Sequence, residues 1–308
     1  MNVLDDILST LNLKGVLYFR TDLSSPWAVA VPELDQAARF HLCVQGTCFV
    51  GFASGDRVEL KAGDLILVPR GRSHTISCSQ ADGAPALESV LADAEYDGEG
   101  VLVVGDGDPN ASTQLICGHF SFRNGADHPL LRALPDYLLT CSSIRAREVW
   151  LDEVLRLLTR RMFSEGAVAN ATITRLSEVF FIELLRLGVG RTPEMTSLLK
   201  ALSDRQIGKA LQLMHRHAEQ PWTVSLLASE VGMSRSSFAD RFSELLGMGP
   251  MSYLSEWRLQ KALSLLEDTR CSVQQAAAGT GYQSPAAFTR AFTSRFGCSP
   301  RELKRRTG

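Results

Sequence analysis

No apolar run in this sequence approaches the roughly 20 residues needed to span a bilayer, and no Arg/Lys-led apolar signal segment opens the chain. Both absences point away from a membrane partner. There is no Cys-x-x-Cys pair, and the seven cysteines are odd in number. That argues against a disulfide framework and for reduced thiols in a cytoplasm. Aromatic residues are sparse at 7%, and charged residues stand at 21%. From Ser73 to Thr113 there is neither Lys nor Arg, while Glu88, Asp93, Glu95 and Asp97 are among the acidic residues there. That stretch reads as a solvated loop pair.

What is present suits a globular protein of more than one domain: 308 residues, 45% of them hydrophobic. The net charge of −2 hides an asymmetry. Residues 203–308 hold 14 Lys and Arg against 9 Asp and Glu, leaving 18 against 25 for the remainder. A basic C-terminal module joined to an acidic partner fits a nucleic-acid reader attached to something that does not touch nucleic acid.

The C-terminal module contains one pattern twice. Val224, Ala228 and Gly232 recur 49 residues later as Val273, Ala277 and Gly281. Ser234, Phe238, Phe242, Gly247 and Pro250 recur 50 residues later as Ser284, Phe288, Phe292, Gly297 and Pro300. In each copy a polar cap (Thr223, Ser272) starts a short helix and a glycine supplies a tight turn. A serine then caps a second helix that buries phenylalanines at i, i+4. Helix, glycine turn, helix is the helix-turn-helix signature, whose second helix enters the DNA major groove. An all-α bundle with two similar hairpins is the plainer alternative. Ile207, Leu211, Met214 and Ala218 mark a helix before the first copy, and Ser252 to Leu266 a longer one between the two. A rigid connection would hold two reading helices about 34 Å apart, one turn of DNA.

Residues 1–140 read as β. Short runs appear at Gly15–Arg20, Trp27–Val31, Arg39–Val44, Cys48–Phe52, Arg57–Leu60, Asp64–Val68 and Thr75–Cys78, and again at Ala86–Leu91, Val101–Val104 and Gln114–Phe122. In 141–202 the period changes to helical: Trp150, Val154, Leu157 and Leu158, then Ile173, Leu176, Phe180, Leu184 and Leu187. Thr172 is a plausible cap, Ser164–Ala167 a break, and Gly188–Pro193 the start of a linker. These apolar helices form either a dimer interface or an intramolecular bracket on the barrel.

Gly63-Asp-Leu-Ile-Leu-Val-Pro69-Arg-Gly71-Arg-Ser-His74 resembles the second motif of the cupin barrel: G, five residues, P, x, G, two residues, H. A rigid Pro-x-Gly turn aims His74 inward. The strand Phe40-His41-Leu42-Cys43-Val44 carries one histidine where metal-binding cupins carry an H-x-H pair and a Glu. His41, His74 and Cys117 or His119 suit Zn²⁺ or another divalent metal if they converge. The plainer reading is hydrogen-bonded interior histidines with a buried thiol, and a third makes Cys117 a redox sensor.

Gly281-Tyr282-x-Ser284, Phe288-Thr-Arg-Ala-Phe292 and Phe296-Gly297-x-Ser299-Pro300 resemble the AraC/XylS family signature over about the last 100 residues. Asp5-Asp6-Ile-Leu, Arg39-Phe-His-Leu42 and Leu115–Phe122 resemble the N-terminal cupin domain of one branch of that family. The resemblance implies a multidomain α+β chain. It would have a cupin-like jelly-roll sensor at 1–140, a helical connector at 141–202 with possible homodimerisation, and a DNA-binding domain with two helix-turn-helix motifs at 203–308. It implies a transcription regulator, commonly an activator, with promoter DNA, RNA polymerase and an unknown small effector, metal or oxidant as partners.

Carried over, the base-facing positions are Arg235, Ser236, Ala239 and Asp240 in the first reading helix, and Ser284, Pro285, Ala286, Ala287 and Arg290 in the second. Arg241, Arg258, Lys261, Arg295, Arg301 and Lys304–Arg306 are phosphate candidates. Asp240 departs from the positive or amide residue that many relatives have there. A cupin metalloenzyme fused to a DNA-targeting module is the competing reading.

Overall fold

The computed structural model describes the chain except residues 1–2, 4–5, 8–9, 11–12, 80–82, 99, 106–111, 124, 126–131, 133, 146, 163–168, 189–192, 268–270 and 308. It divides into two compact units. A β unit holds Leu13–Phe122 with Leu134–Gly188, and a helical unit holds Met1–Asn12, Arg123–Ala133 and Val189–Gly308.

The β unit contains two sheets. Strands β1 (Lys14–Leu23), β3 (Ala37–Gln45), β6 (Leu65–Val68), β8 (Val101–Val104), β9 (Thr113–Ser121) and β10 (Leu138–Thr140) form one, in the order β10-β6-β3-β9-β1-β8. Strands β2 (Ala28–Val31), β4 (Thr47–Phe52), β5 (Arg57–Lys61) and β7 (His74–Ser77) form the other, in the order β2-β7-β4-β5. The inner faces bury Trp27, Val29, Val50, Leu60, Ile76 and Leu115 in a common core. Gly71 of the Pro-x-Gly turn has φ 60, and a Cβ there would lie 2.1 Å from the Leu34 carbonyl oxygen. That close crossing fixes the turn that delivers His74.

One expected strand is a helix. The spacing of Ala86–Leu91 predicts a strand, but α1 spans Leu87–Asp93. Leu87 and Val90, at i, i+3, pack on the barrel core, and Glu88 in the first turn suits the helix N-terminus. The acidic insertion is thus partly structured rather than a plain loop pair.

After β10 come α2 (Ser142–Arg145), α3 (Val149–Met162) and α4 (Ala169–Gly188). The outward face of β3 and β9 carries Phe40 and Phe120, on which α4 lays Phe180 and Phe181. Ring centroids are 5.7 Å apart for Phe40–Phe180 and 4.9 Å for Phe120–Phe181. All four rings are nearly fully buried, so α4 is an intramolecular bracket. It begins at Ala169, three residues before the expected Thr172 cap. The expected break at Ser164–Ala167 lies outside the described residues.

The helical unit contains α5 (Pro193–Ser203), α6 (Ile207–Arg216), α7 (Val224–Glu230), α8 (Arg235–Leu246), α9 (Pro250–Glu267), α10 (Val273–Gly279), α11 (Pro285–Phe296) and α12 (Pro300–Thr307). Two cores hold it. One surrounds Phe238, Phe242, Tyr253 and Trp257, and the other surrounds Phe288, Phe292, Leu259 and Leu263. The connector expected at 141–202 is therefore not a body of its own. α4 packs on the barrel with α3 against it, and α5 packs with the first reading helix. Within the expected linker, residues 189–192 lie outside the described residues.

Val3 and Ile7, assigned by sequence to the barrel domain, are 3% and 0% exposed in the core of the first helix-turn-helix. Spaced i, i+4, they share one helical face.

Candidate DNA-reading helices and sensor interior

The two helix-turn-helix copies are built alike. Thr223 Oγ1 accepts from the Leu226 amide at 3.1 Å, and Ser272 makes a full capping box with Gln275. In each turn a residue after the glycine donates its amide back to the alanine: Met233 to Ala228 O at 2.9 Å, Tyr282 to Ala277 O at 3.0 Å. Ser234 and Ser284 then cap α8 and α11 through the amides of Ser237 and Ala287. Gly281 has φ 79, and a Cβ there would stand 2.8 Å from Glu219 O.

Phe238, Phe242, Phe288 and Phe292 point inward, so the opposite faces of α8 and α11 are exposed. Arg235, Ser236 and Asp240 are exposed on α8, with Ala239 half-buried. Ser284, Pro285, Ala286 and Arg290 are exposed at and along α11, with Ala287 half-buried. Arg235, Arg290 and Arg301 have no ion-pair or hydrogen-bond partner among the described residues, so their guanidinium donors are available. The helix between the readers, α9, has 18 residues, about 27 Å at 1.5 Å per residue.

Other basic candidates are already engaged, which sequence spacing did not reveal. Arg241 forms a two-donor pair with Asp204, a carboxylate that also accepts the Gln206 and Ile207 amides at 2.9 and 2.8 Å. Burial alone would raise the Asp204 pKa, but those amides and Arg241 outweigh it and hold it below the usual carboxylate value. Arg258 donates to Ala218 O at 2.7 Å and Gln220 O at 2.6 Å. Arg295 pairs with Glu256 at 3.1 Å, and Lys304 donates to Cys271 O. These four phosphate candidates thus have partners within the helical unit.

Sequence reasoning also missed what lies against α9 within the same unit. Arg123 pairs with Glu267 at 3.3 Å and Arg132 with Glu256 at 3.4 Å, and Gln260 donates to Gly125 O at 3.1 Å. Nothing in the spacing of Arg123 and Arg132 signals those partners.

In the β unit, β3 and β9 pair so that Arg39 lies opposite His119, His41 opposite Cys117 and Cys43 opposite Leu115. His74 comes from the other sheet. His41 Nδ1 is 3.1 Å from Cys117 Sγ, His41 Nε2 is 2.8 Å from His74 Nε2, and His74 Nδ1 is 2.8 Å from Arg72 O. Three of the four expected residues are thus brought together, with His119 one rung away beside Arg39.

Burial pushes His41 well below its ordinary pKa, with His74 and Arg39 adding to it. Burial lowers His74 and His119 to about 4 and raises Cys117 to about 12. All four are neutral at pH 7. His41 presents opposite ring nitrogens to Cys117 and His74, so these three do not fit around a single zinc ion. Among the described residues no three His, Cys, Asp or Glu side chains are placed to hold a metal. Nor is any described helix long and apolar enough to cross a membrane.

Residues 2–189 match the family described as Cupin, and residues 227–306 the family described as Helix-turn-helix domain. The chain is similar to a putative AraC-like transcription regulator of Streptomyces antibioticus, 30% identical over 308 residues and 99% of each chain. It is also similar to the HTH-type transcriptional regulator AlkR of Acinetobacter baylyi, 27% identical over 312 residues and 100% of each. Among solved structures, the DNA-binding domain of AdpA in complex with a target DNA is 32% identical over 34% of this chain and 93% of that one, with a TM-score of 0.32.

Proposed function

The chain belongs to the AraC-like transcription regulators with an N-terminal cupin domain, and on that premise we propose that it is an activator reading two unlike half-sites. It is a DNA-binding regulator rather than an enzyme, as its relatives along the whole chain are.

The observation that carries the half-site reading is the offset of the available arginines. Arg290 lies in the second turn of α11, whereas its counterpart on α8 is Asp240, and the available guanidinium of α8 is Arg235 at its first position. Arg290 suits a bidentate contact to guanine, and Asp240 suits a cytosine amine. Small exposed Ser236, Pro285 and Ala286 leave room for thymine methyls. Arg301, Arg305 and Arg306, exposed on α12, supply phosphate contacts that position without specifying.

In this reading the protein works in the cytoplasm, and a signal enters through the cupin unit. An effector bound better by one state than another shifts how the readers engage DNA and, through them, RNA polymerase. A homodimer forms through α3, where Val149 and Trp150 are 70% and 78% exposed.

Footprinting on DNA beside the encoding gene, repeated across a salt series, tests the reading. The expectation is two protected segments one helical turn apart, with affinity falling steeply as salt rises. A single protected segment would overturn the two-reader proposal, and a salt-independent affinity would overturn direct reading.

A further inference from the structure

The six-stranded sheet ends at β8 and the four-stranded sheet at β2. Both edges border a pocket of about 660 Å³, walled by Trp27 and Ala28 before and on β2, Val103 and Val104 on β8, and Val90 and Asp93 on α1. That volume lies within the roughly 300–1,000 Å³ of small-molecule sites. We propose that this pocket is the effector site and that it takes an amphiphilic amine, with the ammonium on Asp93 and the hydrocarbon against Trp27, Val90 and Val104. The inference rests on the reading of the cupin unit as the sensor.

Charge selects the ligand class. Among the described lining residues Asp93 alone is charged, and it has no ion-pair or hydrogen-bond partner among the described residues. The stretch Ser73–Thr113 supplies most of the lining and contains neither Lys nor Arg, so it offers Asp93 no basic partner. Asp22, opposite Val103 on the neighbouring strand β1, adds a second carboxylate. Arg20 of the same strand stands opposite Val101, at the other end of β8, and is already engaged.

An organic acid would meet like charge here. A metal ion would find one carboxylate in the lining where it needs several oxygen ligands. A small polar cation would gain nothing from walls of valine, proline and tryptophan, and an alkane would leave Asp93 unanswered. Val103 is 58% exposed, apolar surface that a bound hydrocarbon removes from water.

Trp27 links the pocket to the core. It is 6% exposed and also lines the interior cavity of about 40 Å³ that His41 and Cys117 line. Its amide donates to Cys78 Sγ at 3.2 Å, and Cys78 lies in the wall of the same pocket. A ligand seated on Trp27 thus presses on a side chain that the pocket shares with the interior histidines.

The test uses the full chain at pH 7.5, where an alkylamine is protonated. Butylamine and hexylamine are compared with hexanol and hexanoate by isothermal titration. Asp93→Asn, Asp93→Lys and Ala94→Trp are run beside the wild type, with circular dichroism to report folding. Alkylation of Cys78 by iodoacetamide, read by peptide mass spectrometry, reports occupancy of the pocket. Affinity for promoter DNA is measured with and without each compound.

Hexylamine should bind about two- to fivefold more tightly than hexanol, the contribution of one exposed ion pair, with hexanoate weakest. It should exceed butylamine by roughly fifteenfold, since each buried methylene is worth about fourfold. Asp93→Asn should erase the margin over hexanol, Asp93→Lys should place hexanoate first, and Ala94→Trp should block every ligand. Hexylamine should slow Cys78 alkylation in the wild type but not in Ala94→Trp. If Ala94→Trp does not fold, Asp93→Lys, a change at an exposed position, decides.

Equal binding of amine and alcohol, a preference for the acid, no binding of either amine, or binding that leaves Cys78 unprotected overturns the proposal. If hexanol or hexanoate shifts DNA affinity while the amines do not bind, the ligand class is refuted and the sensor reading stands. If the amines bind through Asp93 but leave DNA affinity unchanged, the amine site stands and its role as the effector site is refuted.

Discussion

His41 and His74 face each other from opposite sheets with Nε2 atoms 2.8 Å apart, and the Arg72 carbonyl beyond His74 decides which ring donates. A carbonyl only accepts, so His74 Nδ1 carries a proton and, in the neutral ring, its Nε2 does not. His41 therefore donates from Nε2, which leaves its Nδ1 to accept the Cys117 S–H at 3.1 Å. The order Cys117 to His41 to His74 to Arg72 O is assigned from the network rather than from visible hydrogens. It is the neutral arrangement that burial enforces.

Acid should therefore loosen the β unit. Burial, first among the causes, holds both His41 and His74 below the ordinary 6.5, so the unfolded chain takes up protons first as pH falls. Their contribution is complete above about pH 6.5 and is lost toward the folded-state values, with His74 near 4. At pH 5.5 the unfolded chain binds more protons at both positions than the folded one does, so stability is lower than at pH 7.5. Urea unfolding at pH 7.5 and 5.5 measures it, and His74→Gln should reduce the pH dependence. Equal stability at the two pH values would contradict the neutral chain.

The same proton order separates a thiol donor from a metal ligand. Cys117→Ala removes the donor to a buried ring nitrogen and should cost roughly 1–3 kcal/mol, whereas Cys117→Ser keeps an O–H and should recover much of it. Protein purified without chelator should carry no stoichiometric zinc. Stoichiometric metal lost on Cys117→Ser would show that the ring of His41 turns to serve an ion.

How much of this was open to sequence reasoning depended on whether a signal is local. The repeat, its caps and the Pro69-x-Gly71 turn are local, and each sits where its spacing puts it. Leu87–Asp93 failed because seven residues are too few to separate a strand from a helix by period. Val3 and Ile7 failed because nothing near residue 3 says that its core lies beside Phe238. The arginines divide on the same ground. Arg235 and Arg290 look like Arg241 and Arg258 in sequence, and only the distant Asp204 and the Ala218 carbonyl tell them apart.

That division yields opposite outcomes for neighbouring arginines. Arg301→Ala and Arg306→Ala should each lower the salt slope of DNA binding by about 0.9 with stability unchanged. Arg258→Ala leaves two carbonyls without a charged donor and should cost roughly 1–3 kcal/mol of stability. Its effect on the slope should be small. A slope change without a stability change at Arg258 would return it to the phosphate contacts.

At the bases, Arg290→Ala should lose roughly 1–3 kcal/mol of discrimination at one base pair and leave the other positions intact. Asp240→Ala should do something different: relax one position while raising overall affinity, because a carboxylate facing phosphates is removed. Binding to a randomised-site library reads both. An Asp240→Ala variant that bound all sites more weakly would mean that its carboxylate contributes attraction at the interface.

The surface of α3 offers the last test. Leu151, Val154, Leu155 and Leu158 are buried, while Trp150 at 78% and Leu157 at 44% exposure lie seven residues apart on another stripe. The Glu153–Arg156 pair at 3.0 Å flanks that stripe with charge. An exposed tryptophan in line with an exposed leucine fits a second copy of the helix better than it fits water. Trp150→Glu places a charge in the middle of such a contact and should convert a dimer to a monomer in sedimentation at micromolar concentration. Arg290 contacts at a single site should survive, and only affinity for paired sites should fall. A dimer that persists in Trp150→Glu would locate the subunit contact elsewhere, and a wild type that is already monomeric would leave this stripe without the role assigned to it.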